Sequence, residues 1–265
     1  MKEINSSTNK KYKLCMQLAS KKYRDRYGLY LIEGNNLVHE AVRHGVEIEA
    51  VFIKEGYEAG TLSGLTGPYV LGEKLYRNIE QTETSQGIVA IVKRTEYSEA
   101  DFFKECGAGN IVVLDRLQDP GNIGTIIRTA EAAGYKGLIA LKGTGDIYSP
   151  KTVRAAAGSL FRLPVLFVDT PEQALNLIKA AGKKTICACT DAEVHYYDAE
   201  LSENSALLVG NEGKGLCEYF TKNAEMRVKI PMDANVDSLN AGVAAGILMY
   251  ECARNKFTMR KGEKS

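Results

Sequence analysis

Between Ile111 and Lys256, short, continuously apolar runs alternate with amphipathic stretches, and this alternation constrains the 265-residue chain more than any other feature. Strands are predicted over residues 111–114, 138–141, 165–168, 185–189, 206–209 and 226–230, the last interrupted by Arg227 and Lys229. Helical spacing recurs over 123–133, 151–160, 171–181, 216–221 and 240–256. A strand with no polar face has to be covered on both sides, which is the environment of a parallel sheet flanked by helices. Ligands of such sheets collect at the carboxyl ends of strands, so the loops after Leu114, Val209 and Ile230 are where chemistry is expected.

The N-terminal third reads as a smaller α/β unit. A helix is predicted over 9–26, where Tyr12, Leu14 and Leu18 recur among Lys and Arg. An apolar run at 29–33 leads to Gly34-Asn35, and Leu37, Val38, Ala41 and Val42 mark a helix closed by Gly45. Strands are predicted over 48–53 and 87–92, with a short helix over 73–79. Residues 93–109 turn polar, with a short helix around Ala100–Glu105, and end in Gly107-Ala108-Gly109, which sets the domain boundary. The division is 1–94, a linker over 95–109, a second domain over 110–258 and a basic tail over 259–265.

Hydrophobic residues at 45% and charged residues at 25% describe a globular chain. The start of the chain lacks a secretory signal, and the longest nearly apolar stretch, from Ala241 to Tyr250, is half the roughly 20 residues a bilayer span needs. A soluble cytoplasmic protein with no membrane partner is expected. The six cysteines form no C-x-x-C pair, which disfavours a zinc site and a disulfide framework. Cys187 and Cys189 alternate within a predicted strand and read as a buried thiol pair. Residues 1–30 hold eight Lys/Arg against two acids, and 254–265 hold five against one. Between them lie 21 basic and 30 acidic residues. Such basic ends are either phosphate contacts or solvated tails.

Several chemistries lack their motifs. No G-x-G-x-x-G follows a strand, and Gly210 to Gly215 has the phosphate-loop spacing but runs into Leu216 instead of Lys. There is no H-E-x-x-H and no G-x-S-x-G, and the only histidines are His39, His44 and His195. Metal, triad and nucleotide-phosphate enzymes are therefore disfavoured.

Three loops remain. In the first, Pro120-Gly121 reads as a turn, Asn122 as the N-cap of a helix starting at Ile123, and Arg128 as a second-turn residue leaning back over the loop. Exposed amides beneath an arginine would make a phosphate clamp; a capped helix with a surface arginine is the competing reading. In the second, a buried strand enters Gly210-Asn211-Glu212-Gly213-Lys214-Gly215, whose glycines allow close backbone approach and whose carboxylate can orient a donor or hold positive charge. In the third, a strand stops at Pro231, a polar loop follows, and Ser238 or Asn240 caps a last helix that opens with Ala241, Gly242, Ala244, Ala245 and Gly246. These small residues suit close helix packing.

In this order and spacing the loops resemble the SpoU (TrmH-type) branch of the SPOUT RNA methyltransferases. Asn122-x-Gly124-x-x-x-Arg128 resembles its first motif and Gly210-Asn211-Glu212-Gly213-x-Gly215 its second. Ile230-Pro231-Met232 with Asp237-Ser238-Leu239-Asn240 resembles the third. Arg154-Ala-Ala-Ala-Gly-Ser-Leu-Phe-Arg-Leu-Pro164 is similar to a family segment between motifs one and two, and Leu31-Ile-Glu-Gly34 with Gln86-Gly-Ile88 is a looser match to its substrate-binding domain.

The resemblance implies an α/β protein: a small N-terminal domain of the L30e-like fold and a C-terminal SPOUT domain with a parallel sheet and a trefoil knot. It implies a homodimer that transfers methyl from S-adenosyl-L-methionine to a ribose 2′-hydroxyl of structured RNA, with 23S ribosomal RNA favoured. A tRNA substrate is the alternative, and a non-catalytic RNA-binding module or a small-molecule enzyme the readings from other classes. Gly210, Asn211, Gly213, Gly215, Ile230, Met232, Ser238 and Leu239 would bind the cofactor, with no metal. Arg128, Asn122, Glu212, Ser238 and Asn240 would carry catalysis. Arg128 would hold a phosphate and stabilise charge on the 2′-oxygen, because a guanidinium stays protonated and is a poor general base. Residues 1–30 with the rest of the N-terminal unit would select the RNA.

Overall fold

The computed structural model describes residues 2–58, 67–201 and 203–254. The expected basic tail over 259–265, the last residues of the predicted final helix and most of the Gly-rich stretch before Gly67 lie outside them. The chain begins β1 (Lys2–Ile4), α1 (Lys10–Gln17), α2 (Lys21–Tyr27), β2 (Leu29–Glu33), α3 (Asn35–Arg43), β3 (Ile48–Lys54), β4 (Tyr69–Leu71), α4 (Glu73–Tyr76) and β5 (Ile88–Lys93). It continues α5 (Glu99–Cys106), β6 (Ile111–Leu114), α6 (Pro120–Ala132), β7 (Gly137–Leu141), α7 (Pro150–Ala156), β8 (Val165–Val168), α8 (Pro171–Ala180) and β9 (Lys184–Ala188). The last elements are β10 (Val194–His195), β11 (Ser205–Val209), α9 (Glu218–Asn223), β12 (Met226–Lys229) and α10 (Ala241–Cys252). Two compact units result: Met1–Thr95 with Asp146–Arg162, and Glu96–Gly145 with Leu163–Ser265.

The first unit is built on a five-stranded mixed sheet in the order β1-β4-β3-β5-β2. Its core joins Ile4, Tyr12, Cys15, Leu18, Phe52 and Tyr76. The helix predicted over 9–26 divides at Leu18, which is fully buried, and at Ser20, whose backbone is extended. Arg24 explains how the break is tolerated. Its guanidinium donates to the freed carbonyls of Leu18 (2.6 Å) and Ala19 (2.8 Å), and its Nε donates to Asp146 (3.2 Å). One of the eight basic residues near the N-terminus is thus a buried structural group, and Lys11 is paired with Glu49. Because Ile4, Tyr12 and Cys15 are core, this segment is an integral part of the unit and not a detachable arm.

Residues 146–162 are expected within the second domain, yet they fold into the first unit. Asp146 takes Arg24, the Tyr148 ring packs on Tyr30 at 4.9 Å, and Arg162 Nη1 donates to Glu40 at 2.8 Å. These partners are distant in sequence, and no local pattern announces them.

The second unit holds a seven-stranded sheet, β10-β12-β9-β11-β6-β7-β8, in which every pairing is parallel. The segment expected as a linker contains α5, which buries Phe102 and Cys106 with Ile111, Val113 and Ile139. Gly137 makes room for it: a Cβ there would stand 2.6 Å from both the Phe102 ring and the Cys106 sulfur. Cys187 and Cys189 face each other, with sulfurs 2.9 Å apart. No helix among the described residues is long and apolar enough to cross a membrane.

Replacing Arg24 by Ala would leave Asp146 without its buried cation and two carbonyls without donors. Such losses cost about 3 kcal/mol or more. Urea unfolding of Arg24→Ala is expected to show a loss of that size; a loss below about 1 kcal/mol would contradict the structural role.

Candidate functional site

Parallel register brings the first two loops together. β6 and β11 are neighbours, with Leu114 opposite Val209, so the chain leaves both strands at the same end of the sheet. Asp115 N donates to Val209 O at 2.8 Å, continuing the ladder by one residue. The Asp115 side chain, fully buried, accepts from Cys217 N (2.6 Å) and from Arg116 Nε (2.6 Å). It therefore fastens the far end of the second loop to the start of the first. Asp115 and Arg116 were not singled out from the sequence; their place immediately after a buried strand was the available signal.

The helix of the first loop starts earlier than its sequence pattern indicates. Asp119, not Asn122, is the N-cap: its Oδ1 accepts from Asn122 N at 2.8 Å, and Pro120 occupies the first turn. Proline suits that position because its φ is preset and it has no N–H to satisfy. Two consequences follow. Arg128 moves to the third turn, where it is exposed and, among the described residues, its guanidinium has no hydrogen-bond or ion-pair partner. The amides just ahead of the helix are also occupied. Glu212 Oε2 accepts from Gln118 N (3.0 Å) and Glu212 Oε1 from Asp119 N (2.9 Å).

Capping by Asp119 frees the Asn122 side chain, which lies buried between the other two loops. Its Nδ2 donates to Glu212 Oε1 (3.2 Å) and its Oδ1 accepts from Asn240 Nδ2 (2.7 Å). Asn240 caps α10 with its own Oδ1, accepting from Gly242 N (2.9 Å) and Val243 N (3.2 Å). One amide thus joins residues from all three loops. Burial alone would push the Glu212 carboxyl up; the amides of Asp119 and Gln118, its own backbone and Asn122 outweigh this and hold it below the ordinary carboxylate value.

The second loop closes on itself. Asn211 and Gly215 exchange backbone hydrogen bonds (3.0 and 2.8 Å), and Asn211 Oδ1 accepts from Gly213 N (3.1 Å) and Lys214 N (3.0 Å). Asn211 Nδ2 also reaches Arg116 O at 2.9 Å. At Gly210 a Cβ would lie 2.3 Å from the Gly215–Leu216 backbone, so glycine is demanded by the loop's own closure. In the third loop, by contrast, Ile230, Met232, Ser238 and Leu239 make no intramolecular hydrogen bond among the described residues. Ile230, Met232 and Leu239 are half-buried. Free backbone donors and acceptors beside apolar surface fit the purine of S-adenosyl-L-methionine, the cofactor implied by the sequence resemblance.

The small residues of α10 are taken up within the chain. A Cβ on Gly242 would approach Thr125 Cγ2 to 3.3 Å and one on Gly246 would approach Thr129 Cγ2 to 3.6 Å, both on α6. Val243 and Tyr250 remain about half exposed on α10. Among the described residues, no group of three or more His, Cys, Asp or Glu could hold a metal ion.

The SpoU rRNA Methylase family matches residues 109–250, and the MRM3-like substrate binding domain matches residues 9–90. The 23S rRNA (guanosine(2553)-2′-O)-methyltransferase RlmP of Bacillus subtilis (strain 168) is 36% identical over 253 residues, 94% of this chain and 98% of that one. The 23S rRNA (uridine(2479)-2′-O)-methyltransferase of Streptomyces viridochromogenes is 30% identical over 256 residues, 92% of this chain and 88% of that one. The crystal structure of an AdoMet-bound rRNA methyltransferase from Sinorhizobium meliloti aligns with a TM-score of 0.83 and 34% identity, covering 96% of this chain and 98% of that one.

Removing the Asn122 amide takes one hydrogen bond from Glu212 and one from Asn240, both of which are exposed to water. Asn122→Ala is expected to lose about 0.5–1.5 kcal/mol per bond in urea unfolding, the net worth of an ordinary hydrogen bond. The Glu212 contacts carry a pH signature. A carboxyl held low in the folded state stabilises fully above its unfolded value, near 4.3, and loses that contribution as pH falls through the lowered one. The stability gap between the parent and Glu212→Gln should be constant above about pH 5 and shrink steadily in acid. A gap that widened on acidification would show the opposite shift.

Proposed function

The chain belongs to the SpoU rRNA methylase family, and on that premise we propose that it methylates a ribose 2′-hydroxyl of 23S ribosomal RNA using S-adenosyl-L-methionine. The observation that carries this reading is the meeting of the three loops at Asn122, at the carboxyl end of a parallel sheet. The cofactor supplies a methyl group already activated by its sulfonium. The protein's tasks are to align the ribose oxygen behind that methyl and to ease loss of the hydroxyl proton.

The residues divide by role. Backbone at Gly210, Ile230, Met232 and Leu239 holds the cofactor, with Asn211, Gly213 and Gly215 shaping the loop. The Ser238 hydroxyl, exposed and without an intramolecular partner among the described residues, is placed to hydrogen-bond substrate or cofactor. Asn122, Glu212 and Asn240 are positioning residues, because their polar atoms are spent on one another and on backbone amides. Arg128 is the residue that meets the RNA. Its free, exposed guanidinium can hold the neighbouring phosphate in a fork and stabilise negative charge developing on the 2′-oxygen.

The same reading includes a homodimer, for which the exposed Val243 and Tyr250 of α10 offer an apolar face, and the family's trefoil knot. For the knot, the support is that the chain crosses past β9 to form β12 and then returns to α6, where Asn240 meets Asn122. Ribosomal RNA as substrate makes the cytoplasm the place of action.

The test is to incubate the protein with labelled S-adenosyl-L-methionine and unmodified rRNA or tRNA, then digest to nucleosides. Label is expected in a 2′-O-methyl nucleoside from the 23S rRNA. Label on a base would overturn the ribose assignment, and label only in tRNA the substrate. In the same assay Arg128→Ala should lower kcat by about 10²–10³, as for loss of a charge-stabilising donor. Cofactor affinity should not change. Near-full activity in Arg128→Ala would remove that residue from the mechanism.

A further inference from the structure

A recess of about 270 Å³ opens in the first unit, lined by Glu33, Asn36, Thr82, Thr84, Gln86 and Arg154. It contains none of the residues of the three loops, so it is a place for recognition and not for methyl transfer. At about 30 Å³ per water molecule it has room for roughly nine waters. That suits one planar heterocycle and is too small for a helix or a folded peptide.

Its polar groups are arranged unequally. Glu33 ends β2 and is only 8% exposed. Its Oε2 accepts from Gln81 N at 3.0 Å, while its Oε1 is buried with no hydrogen-bond partner. A bare buried acceptor is costly, and each one in a folded protein calls for an explanation. Gln86 commits its Oε1 to Asn35 N at 2.8 Å, which fixes its Nε2 as a donor. Gly34, at φ +95°, lets Gln86 come this close, since a Cβ there would lie 3.0 Å from that same oxygen. Arg154 is exposed, and its guanidinium has no hydrogen-bond or ion-pair partner among the described residues. The recess thus offers a carboxylate acceptor, an amide donor and a free cation.

Among the nucleobases this pattern selects guanine. Guanine alone carries two adjacent N–H donors, N1–H and N2–H, next to a carbonyl oxygen. Adenine and cytosine would turn a ring-nitrogen lone pair toward the carboxylate, and uracil would flank its single N–H with two carbonyls. We propose that this recess binds the base of an unpaired guanosine in the RNA. Glu33 accepts from N1–H and N2–H, Gln86 Nε2 donates to O6, and Arg154 holds the adjoining phosphate. Unpaired bases read on their Watson–Crick edges are the usual route to sequence-specific RNA recognition. A lone arginine suits one backbone phosphate better than the polyphosphate of a free nucleotide. The inference rests on the reading of the chain as an RNA methyltransferase.

The full-length protein is titrated with fluorescent single-stranded RNA pentamers of sequence UUGUU and UUAUU, with free 5′-GMP as competitor. UUGUU is expected to bind roughly tenfold tighter than UUAUU, as for one bidentate base contact. Glu33→Gln, the same size with one acceptor replaced by a donor, should abolish that preference while leaving affinity for S-adenosyl-L-methionine unchanged. Arg154→Ala should weaken both pentamers alike and flatten their salt dependence. Equal binding of the two pentamers by the parent, or a preference that survives in Glu33→Gln, would overturn the proposal. 5′-GMP binding as tightly as UUGUU would overturn the RNA assignment in favour of a free guanine nucleotide. The parallel methylation assay separates the two readings. Label in 23S rRNA without guanosine preference removes the recess alone, and guanosine preference without label removes the methyltransferase reading alone.

Discussion

The side-chain amide of Asn122 is the point on which the site depends. An amide has one oxygen that accepts and one nitrogen that donates, and here each end is given to a different loop: the nitrogen to Glu212, the oxygen to Asn240. No carboxylate could take its place, since Asp at this position would turn a second acceptor toward Glu212. Each bond contributes only about 0.5–1.5 kcal/mol net. The Asn122 amide is buried, while Glu212 and Asn240 are open to water, so the shared partner of the three loops is the one group that water cannot replace.

What delivers Asn122 to this position is a sequence of geometric constraints. The parallel pairing of β6 with β11 sets two loops side by side. Asp119 and Pro120 start α6 early enough for Asn122 to stand one turn in, with its side chain free. Glu212 then binds the amides ahead of that helix, where the positive end of the helix dipole favours a carboxylate. Asn240 starts α10, whose Gly242 and Gly246 let it lie against Thr125 and Thr129 of α6. The result is a rigid floor formed by the first two loops beside a third whose backbone groups stay available. The proposed site, which would grip a cofactor through main-chain atoms and present Arg128 to RNA, needs both properties.

Much of this was legible from residue order. The six predicted strands of the C-terminal part correspond to six of its seven parallel strands: five are nearly apolar because a buried parallel strand has no polar face to obscure it, and β12 alternates apolar residues with Arg227 and Lys229. The seventh, Val194–His195, is two residues long and leaves no pattern. Three local signals were ambiguous. Pro120-Gly121 has the composition of a turn, yet proline is equally at home in the first turn of a helix, which displaced the expected cap by three residues. The short helix around Ala100–Glu105 was legible, but its acidic and lysine side chains made it read as part of a linker, although Phe102 and Cys106 are core. β1, with a single buried residue, is polar enough to read as coil.

The remainder depended on contacts far apart in sequence. Arg24 looks like one more cation in a basic segment until Asp146 is seen beside it. Likewise Glu33 appears in the sequence only within a short apolar run and the loose match at Leu31–Gly34, and its bare buried oxygen is visible only in three dimensions. Position along the chain pointed to loops that the structure brings together, but it could not say which polar atoms were already occupied. That distinction separates Asn122, Glu212 and Asn240, which are spent on one another, from Arg128 and Ser238, which are free.

The claim that one amide couples the three loops is tested most directly by a double-mutant cycle read by calorimetry of S-adenosyl-L-methionine binding. The variants are Asn122→Ala, Glu212→Gln and the two combined. If Asn122 and Glu212 act through the same connection, the double variant should lose little more affinity than the worse single variant. Losses that simply add would mean that the two residues act independently, and the coupled site described above would be wrong.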